Sequence, residues 1–406
     1  MGKLKQPDHI RLKDLMIEDE WNCNVDDCIS CSTCDNICPV SDFGEEHLSP
    51  RRLVRLVQYG LDNEIVNSDW IWQCTNCMRC VYNCPMGIKI NNIISVARGM
   101  VDKDKTPGTI QKTAENHMSS GNNMELSKED FIDNVEWMAE ELEDDIPDIE
   151  IPIDKKGAQY AITMNSKLPM HYPLEMQNIF KINHAAGIDW TIPSDWWEGT
   201  NYAFFTTDLE IWEKTLRNFV DKIHELGSKY VAYAECGHGY YAVMAGLKKF
   251  NIEHNFEVKH AVNLYAQWIR EGRFALDPSQ NPEIITLHDP CNSVRKASMA
   301  GFPDIADDAR FVLKNICENF IEMTPNRDAN ICCSGGGGAL IGGFKKARDH
   351  YGKMKVDQID KSGAEIICTP CVNCTDGIHK LQMEYKKTWK SSQMWELLAN
   401  AIVLEN

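Results

Sequence analysis

The chain has 406 residues, 43% of them apolar, enough for a sizeable core and two or three domains, and too many for a globally disordered polymer. A formal charge of −18 argues against nucleic acid or an anionic membrane surface as a direct partner. Seventeen cysteines, a start from Met1 to Asp8 without an apolar signal region, and no apolar run of membrane-spanning length point to a reducing cytoplasm and metal clusters rather than to disulfides or a transmembrane segment.

The first informative stretch is Cys28-x2-Cys31-x2-Cys34-x3-Cys38-Pro39. The same spacing returns at Cys74-x2-Cys77-x2-Cys80-x3-Cys84-Pro85. This is the bacterial ferredoxin pattern for [4Fe–4S] clusters, in which the cysteine before proline reaches across to the other cluster. The expected quartets are Cys28, Cys31, Cys34 and Cys84 for one cubane, and Cys74, Cys77, Cys80 and Cys38 for the other. Cys23 lies outside the pattern and reads as a packed thiol.

Between the motifs, Ser49 caps a helix, Pro50 fits its first turn and Gly60 ends it. Leu53, Leu56 and Val57 share one face and should pack under the clusters, while Arg51, Arg52 and Arg55 read as a solvated face that balances cluster charge. After Cys84, Ile93, Ile94, Val96 and Ala97 predict a second packing helix. Residues 102–124 are polar and read as a linker or irregular wrap. In the acidic stretch from Glu125 to Asp154, Ser127 and Asp130 resemble a capping box, and Phe131, Val135, Met138 and Leu142 recur at helical spacing. Its acidic face reads as solvated. Pro147 and Pro152 end it. The expected division is 1–105 for a ferredoxin-type domain, 106–155 for an acidic linker with a helix, and 156–406 for the remainder.

That last part reads as alternating strands and helices. Strands are expected at Tyr202–Phe205, Tyr230–Tyr233, Ile284–Leu287 and Ala364–Ile367. Helices are expected at Leu209–Leu226, after Gly239, at Ile305–Phe320 (with Cys317 in the core) and at Asp376–Lys386. The alternation predicts a parallel α/β sheet. Glu225 to Val231 and Lys361 to Ile367 both read as helix end, glycine, strand, which suggests an internal duplication. The first copy then runs into Cys236-Gly237-His238, and the second into Cys368-Thr369-Pro370-Cys371-Val372-Asn373-Cys374. Cys332-Cys333 is expected at the end of a strand, where the first copy holds Phe204-Phe205. Two adjacent thiolates can share one cluster only if the backbone bends sharply, and Gly335 to Gly338 would allow that bend. Cys291, Cys368, Cys371 and Cys374 lie on either side. His238 and His288 could offer a proton to a departing thiolate. The glycine run lacks the Gly-Lys-Ser/Thr ending of a phosphate loop.

The arrangement Cys291…Cys332-Cys333…Cys371-x2-Cys374 resembles the cysteine-rich CCG domain of heterodisulfide reductases. Joined to two ferredoxin motifs, it resembles the HdrD subunit of those enzymes and the related DsrK, TmcB and HmcF proteins of sulfate-reducing membrane complexes. Ser49-Pro50-Arg51-Arg52, Trp72-Gln73-Cys74-Thr75-Asn76-Cys77, Glu235-Cys236-Gly237-His238, His288-Asp289-Pro290-Cys291 and Thr369-Pro370-Cys371 carry the likeness. Two departures stand out. Ser334 replaces the glycine that normally comes after the paired cysteines, and Cys368 permits a second C-x2-C reading.

The resemblance implies an α+β and α/β fold: a helical bis-[4Fe–4S] ferredoxin-like domain followed by a duplicated α/β CCG domain. The degenerate copy would span about 156–280 and the cluster-binding copy about 281–406. It implies two cubane clusters and one noncubane [4Fe–4S] cluster, the last held by Cys291, Cys332, Cys333, Cys371 and Cys374, with Cys236 or Cys368 as an extra ligand. It also implies catalysis at that cluster on a disulfide-type substrate or a small sulfur-carrier protein. A cytochrome b-type membrane subunit with its quinone pool would be the partner, and the chain would lie peripherally on the cytoplasmic face. A pure electron relay, or the iron–sulfur subunit of a flavin-linked 2-hydroxyacid dehydrogenase, is the alternative.

Overall fold

The computed structural model describes residues 11–16, 21–41, 43, 47–147 and 149–404. The N-terminal part is helical. Ser49 accepts a hydrogen bond from the Arg52 N–H at 3.2 Å and caps the Pro50–Tyr59 helix, which ends at Gly60 with φ of 69°. Leu53, Val54, Leu56 and Val57 are buried beneath it. The Ile90–Met100 helix buries Ile93, Ile94, Val96 and Ala97. Both helices contribute to one apolar core, which continues into Tyr202, Phe205, Trp212 and Tyr351 from much later in the chain.

The linker reading of residues 102–124 is corrected. Gly108–Ser120 is a helix with Ile110, Gln111, Ala114 and His117 buried. Only two of those four side chains are aliphatic, so the apolar periodicity was too thin to reveal it. The next helix, Lys128–Glu140, is capped by Ser127, which accepts from the Asp130 N–H at 3.0 Å. It buries Phe131, Val135 and Met138, and the Phe131 ring stacks on Trp197 at 4.6 Å.

The rest is built on two four-stranded parallel sheets. The first holds β1 (Tyr160–Thr163), β2 (Trp190–Thr191), β3 (Tyr230–Tyr233) and β4 (Glu257–His260), in the order β2-β1-β3-β4. A short antiparallel pair joins β5 (Ala275–Leu276) to the chain end. The second sheet holds β6 (Ile284–Leu287), β7 (Asn319–Ile321), β8 (Ile366–Cys368) and β9 (Lys390–Ser392), in the order β7-β6-β8-β9; β10 (Ile402–Val403) pairs with β5. The strand order and sense are the same in both sheets. The third strand of each comes after an 18-residue helix, Leu209–Leu226 or Lys345–Ser362, stopped by Gly227 or Gly363 in the left-handed conformation.

Several expectations are corrected. Tyr202–Phe205 is not a strand: Ala203–Thr206 is a helical turn. The helix expected over Ile305–Phe320 runs only from Ala306 to Ile316; Cys317 caps it and Phe320 belongs to β7. No strand leads into Cys332; the chain from Ile331 to Cys333 is irregular. The helices after Cys236 and Cys371 start earlier than expected, at Gly237 and Val372, so each of these cysteines is the residue that begins a helix.

Candidate metal centres

In parallel α/β sheets, sites form in the crevice beyond the carboxyl ends of the strands. Cys236 comes after β3, Cys291 after β6 and Cys371 after β8. The Val372 N–H donates to the Glu235 carbonyl at 2.9 Å, which joins the loop after β8 to the loop after β3. Three of the expected residues therefore reach one place because parallel strands end there.

The ferredoxin cysteines surround two small cavities. Cys28, Cys31, Cys34 and Cys84 line one; Cys38, Cys74, Cys77 and Cys80 line the other. The fourth cysteine of each motif has crossed to the other group. In the second quartet burial pushes the Cys74 and Cys80 thiols up, and Cys77 is raised first by its thiol contact with Cys332 and then by burial. Buried thiolates without a counter-charge are costly, and an iron cluster supplies that charge, so the donor set fits one. The first quartet is more open: Cys31 is exposed, and the neighbouring Ile29 is 62% exposed.

The C-terminal cysteines form a continuous series of neighbouring thiols. Cys332 lies beside Cys77 and Cys333, Cys333 beside Cys374, Cys374 beside Cys371, and Cys371 beside Cys236. Neighbouring thiols that donate to them hold Cys333 and Cys371 well below the usual thiol range. Cys291 lies beside Cys77, Cys333 and Lys296, and burial raises it to about 12. The Ser334 and Gly335 N–H groups donate to the Cys332 and Cys333 sulfurs, each at 3.4 Å. Gly239 N–H, Thr200 Oγ1 and Asn165 Nδ2 lie 3.5, 3.5 and 3.7 Å from the Cys236 sulfur. Cys368 is not part of this set. It is fully buried in another core, near Glu235, Cys317 and Glu396.

The ligand atoms of His288, Cys333 and Cys374 lie within 4.8 Å of one another. His288 Nδ1 meets Asn330 Nδ2 at 3.3 Å. His238 packs against Phe205 at 4.2 Å between ring centroids. Burial lowers both imidazoles, His238 to about 3, so both are neutral at ordinary pH.

The glycine run serves a contact that the sequence did not suggest. A Cβ on Gly336 would sit 2.6 Å from the Thr75 carbonyl oxygen, and one on Gly337 would sit 2.5 Å from that of Cys74. The glycines let this loop lie directly on the backbone of the second ferredoxin motif. Ser334 adopts φ of 68°, the left-handed region that favours the glycine it replaces.

Two buried arginines fasten the junction. Arg98 uses all five of its N–H donors: two to Ile71 O, and one each to Cys74, Phe205 and Gly337 O, at 2.7 to 3.1 Å. Arg295 donates to Cys77 O at 2.7 Å and to the carbonyls of Asp328 and Asn330. Arg310, paired with Asp289 at 2.8 Å, braces the loop that carries Cys291. Sequence reasoning missed Arg98, Arg295, Lys296 and Lys355. A signal existed: Arg98 follows Ile90 and Ile94 at helical spacing, and Lys355 falls between Tyr351 and Ile359 in the same way, each a cation on a buried face.

Residues 24–88 match the family of 4Fe-4S dicluster domains, and residues 285–378 match the cysteine-rich domain family. The "Hdr-like menaquinol oxidoreductase iron-sulfur subunit" of Archaeoglobus profundus is 24% identical, over 85% of this chain and 69% of that protein. An iron-sulfur subunit of the CoB--CoM heterodisulfide reductase of Methanopyrus kandleri is 34% identical, over 22% of this chain and 45% of its own length. The chain is similar to HdrD-like iron–sulfur proteins, pairing a 4Fe-4S dicluster match with a cysteine-rich match. A "Probable membrane-anchored ferredoxin" of Chromohalobacter salexigens is 22% identical over 87% of this chain, which spans only 56% of that longer relative. These likenesses support an oxidoreductase role in electron transfer, with [4Fe–4S] clusters as cofactors. Among the described residues, no helix is long and apolar enough to cross a membrane.

Proposed function

We propose that the chain passes electrons between a cytochrome b or quinone partner and a disulfide-type substrate at the Cys332-Cys333 site. The observation that carries this reading is the contact of Cys77 with Cys332. A cysteine of the second quartet lies beside one of the C-terminal set, so two centres would have neighbouring ligands. When bound, cubane clusters supply one-electron chemistry, and a noncubane [4Fe–4S] cluster at the C-terminal set would take up sulfur. The chain's own residues position these centres. The exposed edge at Ile29 and Cys31 presents the first quartet to a redox partner. Arg98 and Arg295 hold the second quartet's loop against the glycine run. The N–H groups of Ser334 and Gly335 tune the sulfurs they contact.

Cys291, Cys332, Cys333, Cys371 and Cys374 are the proposed ligands, with Cys236 as the sixth thiol. His288 and His238, both neutral, would relay a proton to a leaving thiolate, each releasing it from one ring nitrogen as the other takes one up. The matching strand orders support the reading of residues 156–406 as a duplicated CCG domain with a degenerate first copy. The chain would sit peripherally on the cytoplasmic side, held through partner subunits.

The test is EPR of the anaerobically oxidised protein with and without an added disulfide. A new substrate-dependent signal is expected. An unchanged spectrum would reduce the role to electron relay. In parallel, Cys332→Ala should leave about eight iron atoms per chain, the content of two cubanes. Loss of all iron would sink the separation into independent centres.

A further inference from the structure

A cavity of about 430 Å³ opens beside the second quartet and has no cysteine in its lining. Asn76, Met78 and Asn91 line it, and the same three residues line the cavity of that quartet, so the two share a wall. Three lysines converge here in a chain of net charge −18. Each lies over a ring that also lines the cavity. Lys296 Nζ is 4.3 Å from the Tyr241 centroid and 5.1 Å from that of Phe204; Lys249 is 4.5 Å from Trp21; and Lys248 is 5.7 Å from Phe302. Lys296 is 2% exposed, and the thiols of Cys291, Cys77 and Cys74 lie near it.

We propose that this cavity binds a small organic anion carrying a flat ring. Its charged group would lie against Lys248, Lys249 and Lys296, and its ring among Trp21, Phe204 and Tyr241. A volume of this size suits a small molecule, and the lining sets aromatic faces beside convergent amide and ammonium groups. Attraction to an anion is strongest at Lys296, which is buried and so lies in a lower local dielectric. The aromatic faces supply stacking area for the ring. The proposal goes beyond the disulfide reading and does not need it, because no cysteine forms part of the pocket.

Lysines at the end of a helix also complement its dipole, as Lys248 and Lys249 do for Gly237–Lys249, so the test must read binding rather than stability. The iron-loaded full chain would be titrated anaerobically by calorimetry with 2-naphthalenesulfonate and with neutral 2-naphthylmethanol. The sulfonate should saturate below millimolar concentration, and the alcohol should bind at least about tenfold more weakly, the ratio that 1.4 kcal/mol represents. Lys248→Gln combined with Lys249→Gln should weaken the sulfonate by a similar factor with iron content unchanged. Ala245→Trp should block the cavity and abolish binding. The sulfonate should also alter the EPR line shape of the reduced second cluster, across the wall formed by Asn76 and Met78. No saturable sulfonate binding, equal affinity for the neutral compound, or wild-type affinity in both variants would overturn the proposal.

Discussion

The two parallel sheets share an order and a sense, yet their loops do different work. After the second strand, the first sheet carries Phe204-Phe205 in a helical turn, with Phe205 buried in the core beneath the ferredoxin motifs. The second sheet carries Cys332-Cys333 in an irregular loop whose N–H groups turn to sulfur. After the third strands, Cys236 and Cys371 begin helices and touch each other. After its second strand, the same frame thus carries apolar packing in one sheet and a pair of adjacent thiols in the other. What separates them is a few side chains at strand ends, not the fold.

The sharpest way to break that comparison is to exchange the roles. Phe205→Ala should lower the unfolding free energy by about 3–5 kcal/mol, the cost of emptying a buried aromatic site, and leave the iron of the ferredoxin quartets in place. Urea unfolding with iron analysis reads both. If Phe205→Ala strips iron while Cys332→Ala mainly unfolds the chain, the division of labour is wrong.

Gly337→Ala should cost about 2–4 kcal/mol, the sum of left-handed strain and a clash with Cys74 O. It should also slow electron transfer from the second quartet to the C-terminal site, measurable by rapid-mixing optical reduction. Wild-type stability and rate would mean that the glycine run does not set the junction.

Glu198, in the first half, is fully buried, and burial raises its carboxyl from 4.5 to about 7. Between those values the folded chain binds more protons than the unfolded one, so stability should fall as pH rises from 4.5 to 7 and level off above. The drop is on the order of 3 kcal/mol. Glu198→Gln should flatten that part of the pH–stability curve; an unchanged slope would assign the titration elsewhere.

The smallest expected effect is at Ser334. Ser334→Gly should stabilise by up to about 1 kcal/mol, because glycine accepts φ of 68° without a Cβ penalty. Chemical denaturation midpoints would show it, and destabilisation would mean that the hydroxyl has a partner once the centre is loaded.

What could be read from the sequence was what local chemistry encodes. Ser49, Gly60, Ser127 and Gly227 mark helix ends because their side chains or backbone freedom act within a few residues. The cysteine quartets were visible because a cubane imposes its own spacing. Tyr202–Phe205 was misread because four apolar residues suit a buried strand and a buried helical turn equally. β2, with two residues, and β9, with three, are too short to carry a period. Arg98, Arg295 and the closeness of Cys77 to Cys332 depend on contacts across more than two hundred residues, and no local pattern announces them.

Arg98 reaches Gly337 across 239 positions of sequence. This contact gives biogenesis of the protein an order. The ferredoxin motifs are made before the glycine run and have all eight of their cysteines in hand. The seat for the glycine run exists only after that region has folded, and the run is made more than two hundred residues later. The C-terminal thiol set can therefore close on its neighbour only after the ferredoxin region is in place.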